Sequence, residues 1–449
     1  MSKARIAAFH ALQEISRGRL DLPAALARSR SSLGDERDRA LTMEIVTGTT
    51  RWQRALDHVI EHFAGRRLAR LDAEIVTVLR LSLYQLLHLS RVPAAAVVDE
   101  AVNLARLARK PSAAGFVNGV LRSILRQRHR LPFPARPEDH VNRADALAYL
   151  GITHSHPEWI VARWLDRYGL DGAERWVRFN NDSATLTLRA NRLRTTRDAL
   201  QAALAADGIE TAPTAFAPDG LHVVSGNPLA RPHDGSFVVQ DEASQLIALT
   251  VDARPGHLVL DLCAAPGGKS TALAADMADR GLVLACDVRD RRMRLLRDTI
   301  RASGARNIRL THVDARAAVP FRPGAFDRVL VDAPCSGLGT LRRDPDIKWR
   351  RREDDLPALV DRQQELIARA AATVKPGGRL VYATCSSEPE ENENVIDRFL
   401  ATHPGFEQHD LRAELDDRLT ELLDQRGCLH TSPVHGLEAF FAAALTRTE

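Results

Sequence analysis

The sequence predicts a multidomain chain in three parts. An all-α domain spans residues 1–135, a small α+β connector spans 141–240, and an α/β domain with a doubly wound parallel sheet spans 241–449. Three observations predict this. Between Ala4 and Arg130 apolar residues recur three and four apart, and no strand pattern interrupts them. Between 141 and 240 helical and alternating segments mix. From 241 onward five short apolar runs alternate with helical stretches, as βαβ units require.

In the first part Ile75, Val78, Leu79, Leu83, Leu86 and Leu87 make one helical stripe, and Gly65 and Pro93 separate segments. Several helices with short connections form a bundle. Asn118 and Gly119 are expected to shape a helix turn within it. Leu131-Pro-Phe-Pro-Ala-Arg-Pro137 holds three prolines in seven residues and reads as a linker. In the connector, Pro157 opens a helix through Trp159, Ile160, Trp164 and Leu165. Both tryptophans are expected to pack rather than stack on a base. Thr185–Leu188 and Leu221–Val224 alternate as strands, with a helix over Thr195–Ala206 between them. In the third part the runs are His257–Asp261, Gly281–Ala285, Ile308–His312, Phe326–Val331 and Gly378–Tyr382, with helices over Arg291–Arg301 and Arg362–Ala372. Ala439–Ala444 comes too late for another crossover helix and is expected as a closing antiparallel strand.

Composition narrows the function classes. At roughly 150 residues per domain, 449 residues suit about three domains. Hydrophobic residues at 45% and charged residues at 27% exclude a disordered or fibrous chain. No run approaches the ~18 apolar residues of a membrane span, and Met1–Leu20 lacks an apolar signal core. Five cysteines are too few and odd in number for a disulfide framework, so a cytoplasmic protein is expected, and a monomer. The net charge of +4 is uneven. Residues 1–140 hold 23 Lys+Arg against 14 Asp+Glu (+9), residues 141–240 hold 10 against 11 (−1), and residues 241–449 hold 29 against 33 (−4). A basic front end points to a polyanionic partner.

The first α/β run ends in Asp261-Leu-Cys-Ala-Ala-Pro-Gly-Gly-Lys269. A Gly-rich strand-to-helix turn brings backbone N–H groups close to a ligand at the carboxyl edge of a sheet. It lacks both phosphate-loop and dinucleotide spacings, and two glycines alone mark only a tight turn. Asp287, Asp314 and Asp332 close the next three runs. A lone strand-end Asp is more often a helix cap. Several in register suit a ligand with ribose hydroxyls and an adenine amino group but no phosphate, which fits S-adenosylmethionine.

Cys335, in Asp332-Ala-Pro-Cys-Ser-Gly337, and Cys385, in Thr384-Cys-Ser386, follow the fourth and fifth runs. If those strands are neighbours, both thiols reach one crevice. Buried Cys is usually a small hydrophobe. That suits Cys286, Cys263 and Cys428 better than two cysteines each followed by Ser in a turn. No C-x-x-C or Cys/His cluster has ligand spacing, so no metal is expected. Methylation of cytosine at C5 accounts for thiols and cofactor together. A thiolate adding at C6 makes C5 nucleophilic, a second thiol or carboxylate assists elimination, and neutral Asp332 can donate to N3.

These three motifs together resemble the NOL/NOP/Sun family of RNA cytosine-5 methyltransferases. Leu79-Arg-Leu-Ser-Leu-Tyr-Gln-Leu-Leu87 and Gly115-Phe-Val-Asn-Gly-Val-Leu-Arg122 resemble the NusB-like helical domain ahead of the core in the branch that acts on small-subunit ribosomal RNA. Gln240-Asp-Glu-Ala-Ser244 and Asp346-Ile-Lys-Trp-Arg350 match as well, so the resemblance covers essentially the whole chain. It implies an N-terminal NusB-like RNA-binding domain and a C-terminal Rossmann-like methyltransferase. It implies Cys385 as nucleophile, Cys335 as the partner in product release and Asp332 beside the base. It assigns S-adenosylmethionine to Cys263, Ala264, Ala265, Pro266, Gly267, Gly268 and Lys269 with Asp287, Asp314 and Asp332. The implied substrate is 16S ribosomal RNA, free or in an early subunit particle, at the cytosine usually numbered 967. The sequence departs from the family pattern at Ser270, for the commoner Thr, and at Glu438-Ala439, for the commoner Asp-Gly. The second departure removes a positive-φ option from a turn.

Arg342, Arg343, Lys348, Arg350, Arg351 and Arg352 surround Trp349, and this run is expected to contact RNA, with Trp349 stacking on a base. Two other readings stay open: a transfer-RNA methyltransferase of the same family, and a non-catalytic NusB-like RNA-binding factor.

Overall fold

The computed structural model describes residues 1–138, 142–230, 234–315 and 319–449. The expected connector start at 141 lies outside them. Packing divides the chain into two compact units: residues 1–183 with 341–353, and residues 184–340 with 354–449.

The first unit is helical, as the 3.6-residue stripe requires. Its main helices are Lys3–Ser16, Leu22–Ser32, Glu36–Arg51, Gln53–Ala64, Ala73–His88, Ala94–Leu107 and Ala114–Arg126. Ile75, Val78, Leu79 and Leu83 are buried in one core with Phe9, Ile45, Val59, Val117 and Leu121. Gly65, at φ 63°, ends one helix, and Pro93 precedes another. Asn118 and Gly119, expected at a helix turn, form part of one. Both lie inside Ala114–Arg126, where the Asn118 side chain accepts from Arg122 Nε at 3.0 Å. The segment Glu158–Asn181 opens after Pro157 and breaks at Gly169, which takes φ 67°. Trp164 is fully buried and stacks on Trp176, with ring centroids 5.1 Å apart, so its packing role is borne out.

The 341–353 segment belongs to this unit, and at Lys348 the RNA-contact expectation is corrected. Lys348 is fully buried. Its ammonium donates to Asn181 Oδ1 (2.9 Å), Ser155 O (3.3 Å) and Arg51 O (3.4 Å). The Trp349 indole N–H is taken by Thr50 O at 2.7 Å. Arg342 lies over the Phe179 ring at 4.1 Å, and Arg350 pairs with Asp346 at 2.8 Å. Asp346 also accepts from Leu22 N at 3.1 Å. Lys348 is therefore a packing group, whereas Trp349 is half-buried with its indole N–H spent on Thr50 O, and Arg350 and Arg352 are exposed.

The second unit carries two sheets. The smaller is antiparallel, ordered β2-β3-β1-β4 from β1 (Thr187–Ala190), β2 (Glu210–Pro213), β3 (Gly220–Ser225) and β4 (Phe237–Val239). The larger contains β5 (Leu258–Asp261), β6 (Leu282–Asp287), β7 (Ile308–His312), β8 (Phe326–Asp332), β9 (Val374–Thr384), β10 (Phe406–His409), β11 (Leu429–His430) and β12 (Phe441–Arg447). Its order is β10-β12-β9-β8-β5-β6-β7, with β11 on β12. The four pairings from β9 to β7 are parallel. β12 closes the sheet antiparallel to β9, as Ala439–Ala444 suggested. The five expected runs are β5 to β9. Short β2, β4, β10 and β11 were not foreseen; they carry too few residues for a period to register. Apolar clusters lie around this sheet, one including Val259, Leu273, Ala285 and Leu330, the other Leu260, Val331, Ile367 and Phe399.

Removing the Lys348 ammonium leaves buried carbonyl acceptors unpaired, at about 1–3 kcal/mol for such a group, besides the cavity. Lys348→Ala is expected to lower stability by about 2–4 kcal/mol, read as a shifted urea midpoint by tryptophan fluorescence. An unchanged midpoint would show that Lys348 does not hold this unit together.

Candidate active site

β5, β6 and β8 end in Asp261, Asp287 and Asp332, and β9 ends one residue before Cys385. Parallel strands end on one side, so these groups share the carboxyl edge of the sheet. The Cys263–Lys269 turn leaves β5 there and starts the helix Gly268–Asp276. Gly267 takes φ 110°, and a Cβ on it would meet Leu296 Cδ1 at 2.9 Å. Both the conformation and the space therefore require glycine.

The four acids do different things. Asp261 is fully buried and accepts from Ser270 Oγ at 2.6 Å, so it braces the turn from beneath. Ser270, the departure from Thr, keeps the needed hydroxyl. Burial, followed by the charge of Asp332, pushes Asp261 up to about 7, against the Ser270 hydrogen bond. Asp287 accepts from Val288 N (2.8 Å), Arg289 N (3.2 Å) and Ala265 N (3.3 Å), with Arg292 Nη1 at 3.6 Å. It thus ties the turn to β6. Asp314 is half-buried two residues beyond β7. Asp332 pairs with Lys269 Nζ at 2.7 Å. Burial works against the Lys269 ammonium, but the charge and hydrogen bond of Asp332 outweigh it and raise Lys269 above its ordinary value. Lys269 also lies 5.7 Å from the Phe440 ring centroid.

β8 and β9 are parallel neighbours, with Asp332 opposite Ala383. Their following loops bring Cys335 Sγ and Cys385 Sγ to 3.3 Å, both half-buried and neither in a disulfide. The contact with Cys385 and burial hold the Cys335 thiol well above its usual range. Burial and the nearby acids likewise raise Cys263, and burial raises Cys286 and Cys428. The Glu438-Ala439 departure is accommodated. Ala439 is absent from the positive-φ residues, its N–H donates to Gly339 O at 2.9 Å, and Gly436 makes the turn at φ 72°.

Two groups escaped the sequence reading. Arg189, buried on β1, donates to Gly268 O and Thr271 Oγ1, both at 2.8 Å, and so fixes the helix start behind the turn. Glu391, fully buried, accepts from Ser336 N (2.8 Å), Gln363 Nε2 (2.9 Å) and Ser386 Oγ (2.5 Å). The only sequence signal for the latter was the serine after each cysteine.

This edge fits a methyl-donor nucleoside. It offers a backbone turn built for close approach and carboxylates placed for hydroxyl and amino donors. Its one turn cation is paired with an acid rather than offered to phosphate. Among the described residues no group of three or more His, Cys, Asp or Glu is placed to hold a metal. No helix among them is long and apolar enough to cross a membrane.

The family model described as 16S rRNA methyltransferase RsmB/F matches residues 248–446. The NusB family model matches residues 2–126, and an RsmF/B-like ferredoxin-like domain matches residues 156–230. The chain is 37% identical to the probable ribosomal RNA small subunit methyltransferase B of Bacillus subtilis (strain 168), over 92% of this chain and 91% of that protein. It is 35% identical to ribosomal RNA small subunit methyltransferase B of Pseudomonas putida KT2440, over 99% of this chain and 98% of the other. Among solved structures, PH0851 superposes with a TM-score of 0.81 at 27% identity, covering 99% of this chain and 98% of its own. A methyltransferase homolog from Pyrococcus horikoshii gives 0.57 at 26% identity, covering 68% and 100%. A NusB front end, a ferredoxin-like connector and a methyl-donor sheet thus occur in one chain, which belongs to the RsmB/F family of S-adenosylmethionine-dependent methyltransferases of small-subunit ribosomal RNA.

Proposed function

We propose that the protein methylates C5 of a cytosine in 16S ribosomal RNA, at the position usually numbered 967, through a covalent bond between Cys385 and C6 of the base. The carrying observation is the pair of thiols 3.3 Å apart at the same sheet edge as the Gly267–Gly268 turn. Bound S-adenosylmethionine supplies an electrophilic methyl group on a sulfonium. The chain's residues do the rest. The turn from Cys263 to Lys269 takes the donor's amino-acid end, Asp287 its ribose hydroxyls and Asp314 its adenine amino group. C5 of cytosine is a poor nucleophile. Addition of the Cys385 thiolate to C6 moves an electron pair onto C5. The proton that N3 needs comes from the Lys269–Asp332 pair. Lys269 is its proton-bearing member, a refinement of the neutral-Asp332 expectation. After methylation the C5 proton leaves to a base and the C6–S bond breaks, returning the thiolate to Cys385. Cys335 serves this release step. The target base is unstacked to reach the thiols, which costs a few kcal/mol if it is paired. The +9 charge of residues 1–140 supports RNA as the partner, in the cytoplasm.

Bisulfite sequencing of 16S RNA from cells lacking this protein is expected to show one newly converted cytosine. The wild-type chain should restore its protection and Cys385→Ala should not, although that variant still binds S-adenosylmethionine by calorimetry. Protection restored by Cys385→Ala would remove Cys385 as nucleophile. Cys335→Ala is expected to accumulate a protein–RNA adduct that survives a denaturing gel. Normal turnover without a shifted band would contradict the release role.

Asp261 supplies a pH dependence. Its folded pKa, about 7, lies above the ordinary 3.8, so its contribution to stability is full below the lower value and is lost as pH rises through the upper. The melting temperature of Asp261→Asn relative to wild type is therefore expected to climb between about pH 4 and 7 and then level off. Parallel melting curves across that window would refute the shift.

A further inference from the structure

We infer that Glu391 is the positioning residue of the thiol pair. It holds the Cys335 and Cys385 loops at reacting distance by bonding the residue that follows each cysteine. This rests on the reading of Cys385 and Cys335 as the reacting thiols. The two loops leave different strands and meet directly where Gly339 N donates to Cys385 O at 3.0 Å. Glu391 also spans them. One carboxylate oxygen accepts from the Ser336 backbone N–H at 2.8 Å and the other from the Ser386 hydroxyl at 2.5 Å. The two serine hydroxyls also meet each other at 3.1 Å. Gln363 Nε2 completes the frame, donating to Glu391 Oε1 at 2.9 Å and to Pro334 O, in the Cys335 loop, at 3.1 Å. The Glu391 carbonyl is itself fixed by Tyr382 Oη at 2.6 Å, from β9. Asn392 then ties the Cys385 loop from the other side, donating to Ser386 O at 3.0 Å.

Each cysteine thus sits one bond upstream of a serine anchored on the same buried carboxylate. Burial makes this frame stiff, since each group that lets go loses a partner that water does not replace. The carboxylate bonds the serine after each cysteine, and its charge also helps to raise the Cys335 thiol. A displacement of about 1 Å at reacting atoms can cost about 100-fold in rate.

The test uses the full-length protein with Glu391→Gln and Glu391→Ala. Glutamine keeps one acceptor oxygen and alanine none. Two readouts are taken: kcat and KM with 16S RNA and S-adenosylmethionine, and, without RNA or cofactor, the rate at which diamide converts Cys335 and Cys385 to a disulfide, followed by mass spectrometry. In that reaction the two thiols lose two electrons and two protons to one diamide. Wild type is expected to form the bond rapidly. Glu391→Ala should lose about 100-fold in kcat with the KM for S-adenosylmethionine unchanged, and form the disulfide at least about tenfold more slowly. Glu391→Gln should fall between. A Glu391→Ala protein that melts like wild type and oxidises at the wild-type rate would overturn the inference. If Glu391→Ala fails to fold, Ser386→Ala decides, because it removes the hydroxyl by which Glu391 holds the Cys385 loop, with the same disulfide rate as the criterion. The disulfide readout needs no methyl transfer, so failure of the Cys385 mechanism, seen as activity retained in Cys385→Ala, is separately visible.

Discussion

The parallel pairing of β8 with β9 is the constraint on which the rest of the catalytic unit depends. It sets Asp332 opposite Ala383, and the ladder continues one step further, where Ala333 N donates to Ala383 O at 2.8 Å. Both loops therefore depart at the same level, and the thiols two or three residues on can meet. A slip of one residue would move one loop by about 3.3 Å along the strand and turn every β9 side chain to the opposite face. Such a slip would exchange Val381 and Ala383, which pack in one buried cluster, with Leu380 and Tyr382, which pack in the other, so core packing and thiol geometry are specified by one register. The crossover helix Leu356–Ala371 packs against both strands, and its Gln363 reaches into the loop frame.

On that scaffold the electrostatics sort five similar thiols. Cys286 and Cys428 are buried among apolar groups or acids, which hold their protons on. Cys263 lies between Asp332, Asp261 and Asp287 and is held protonated more strongly. Lys269 is the cation of this edge. It sits on the helix that the glycine turn starts, pairs with Asp332, and feels the charge of Cys385. A strand, a turn and a helix start thus deliver one positive charge to the place where negative charge develops on sulfur and ring. Electrostatic stabilisation of that kind acts most strongly where water is excluded.

Much of this was legible in the sequence because the signals are local. A strand of five residues followed by Gly-Gly, or an Asp at the end of an apolar run, is complete within ten residues. The parallel core and the closing antiparallel strand followed from the alternation of the runs, and the pairing of β8 with β9 from the usual order of doubly wound sheets. Three features were not legible, for one shared reason. The frame around Glu391 joins residues up to 55 positions apart. Arg189 reaches Gly268 across 79 positions. Lys348 finds acceptors on Arg51 and Ser155 across 297 and 193 positions. Polar residues whose partners are distant look solvent-facing in a linear reading, as Lys348 does within its basic run.

The placement of Lys348 also bears on how the chain folds. The helical unit is discontinuous, because it includes residues 341–353, which lie between β8 and the crossover helix in sequence. Its buried carbonyls at Arg51 and Ser155 stay unpaired until that segment is made. The first 183 residues can collapse around their own apolar stripes, since those contacts are mostly local. They cannot satisfy the pocket that Lys348, Trp349 and Asp346 fill. Closing a loop of nearly 300 residues for those bonds costs entropy that grows only slowly with length. It does delay them until the later strands exist. Burying a charged group deep in a helical unit is expensive unless its partners are in place, so the same lysine discriminates against a helical unit assembled without its distant segment. Burial and the charge of Arg51 lower the Lys348 amine well below its ordinary value, and that is the cost set against this discrimination.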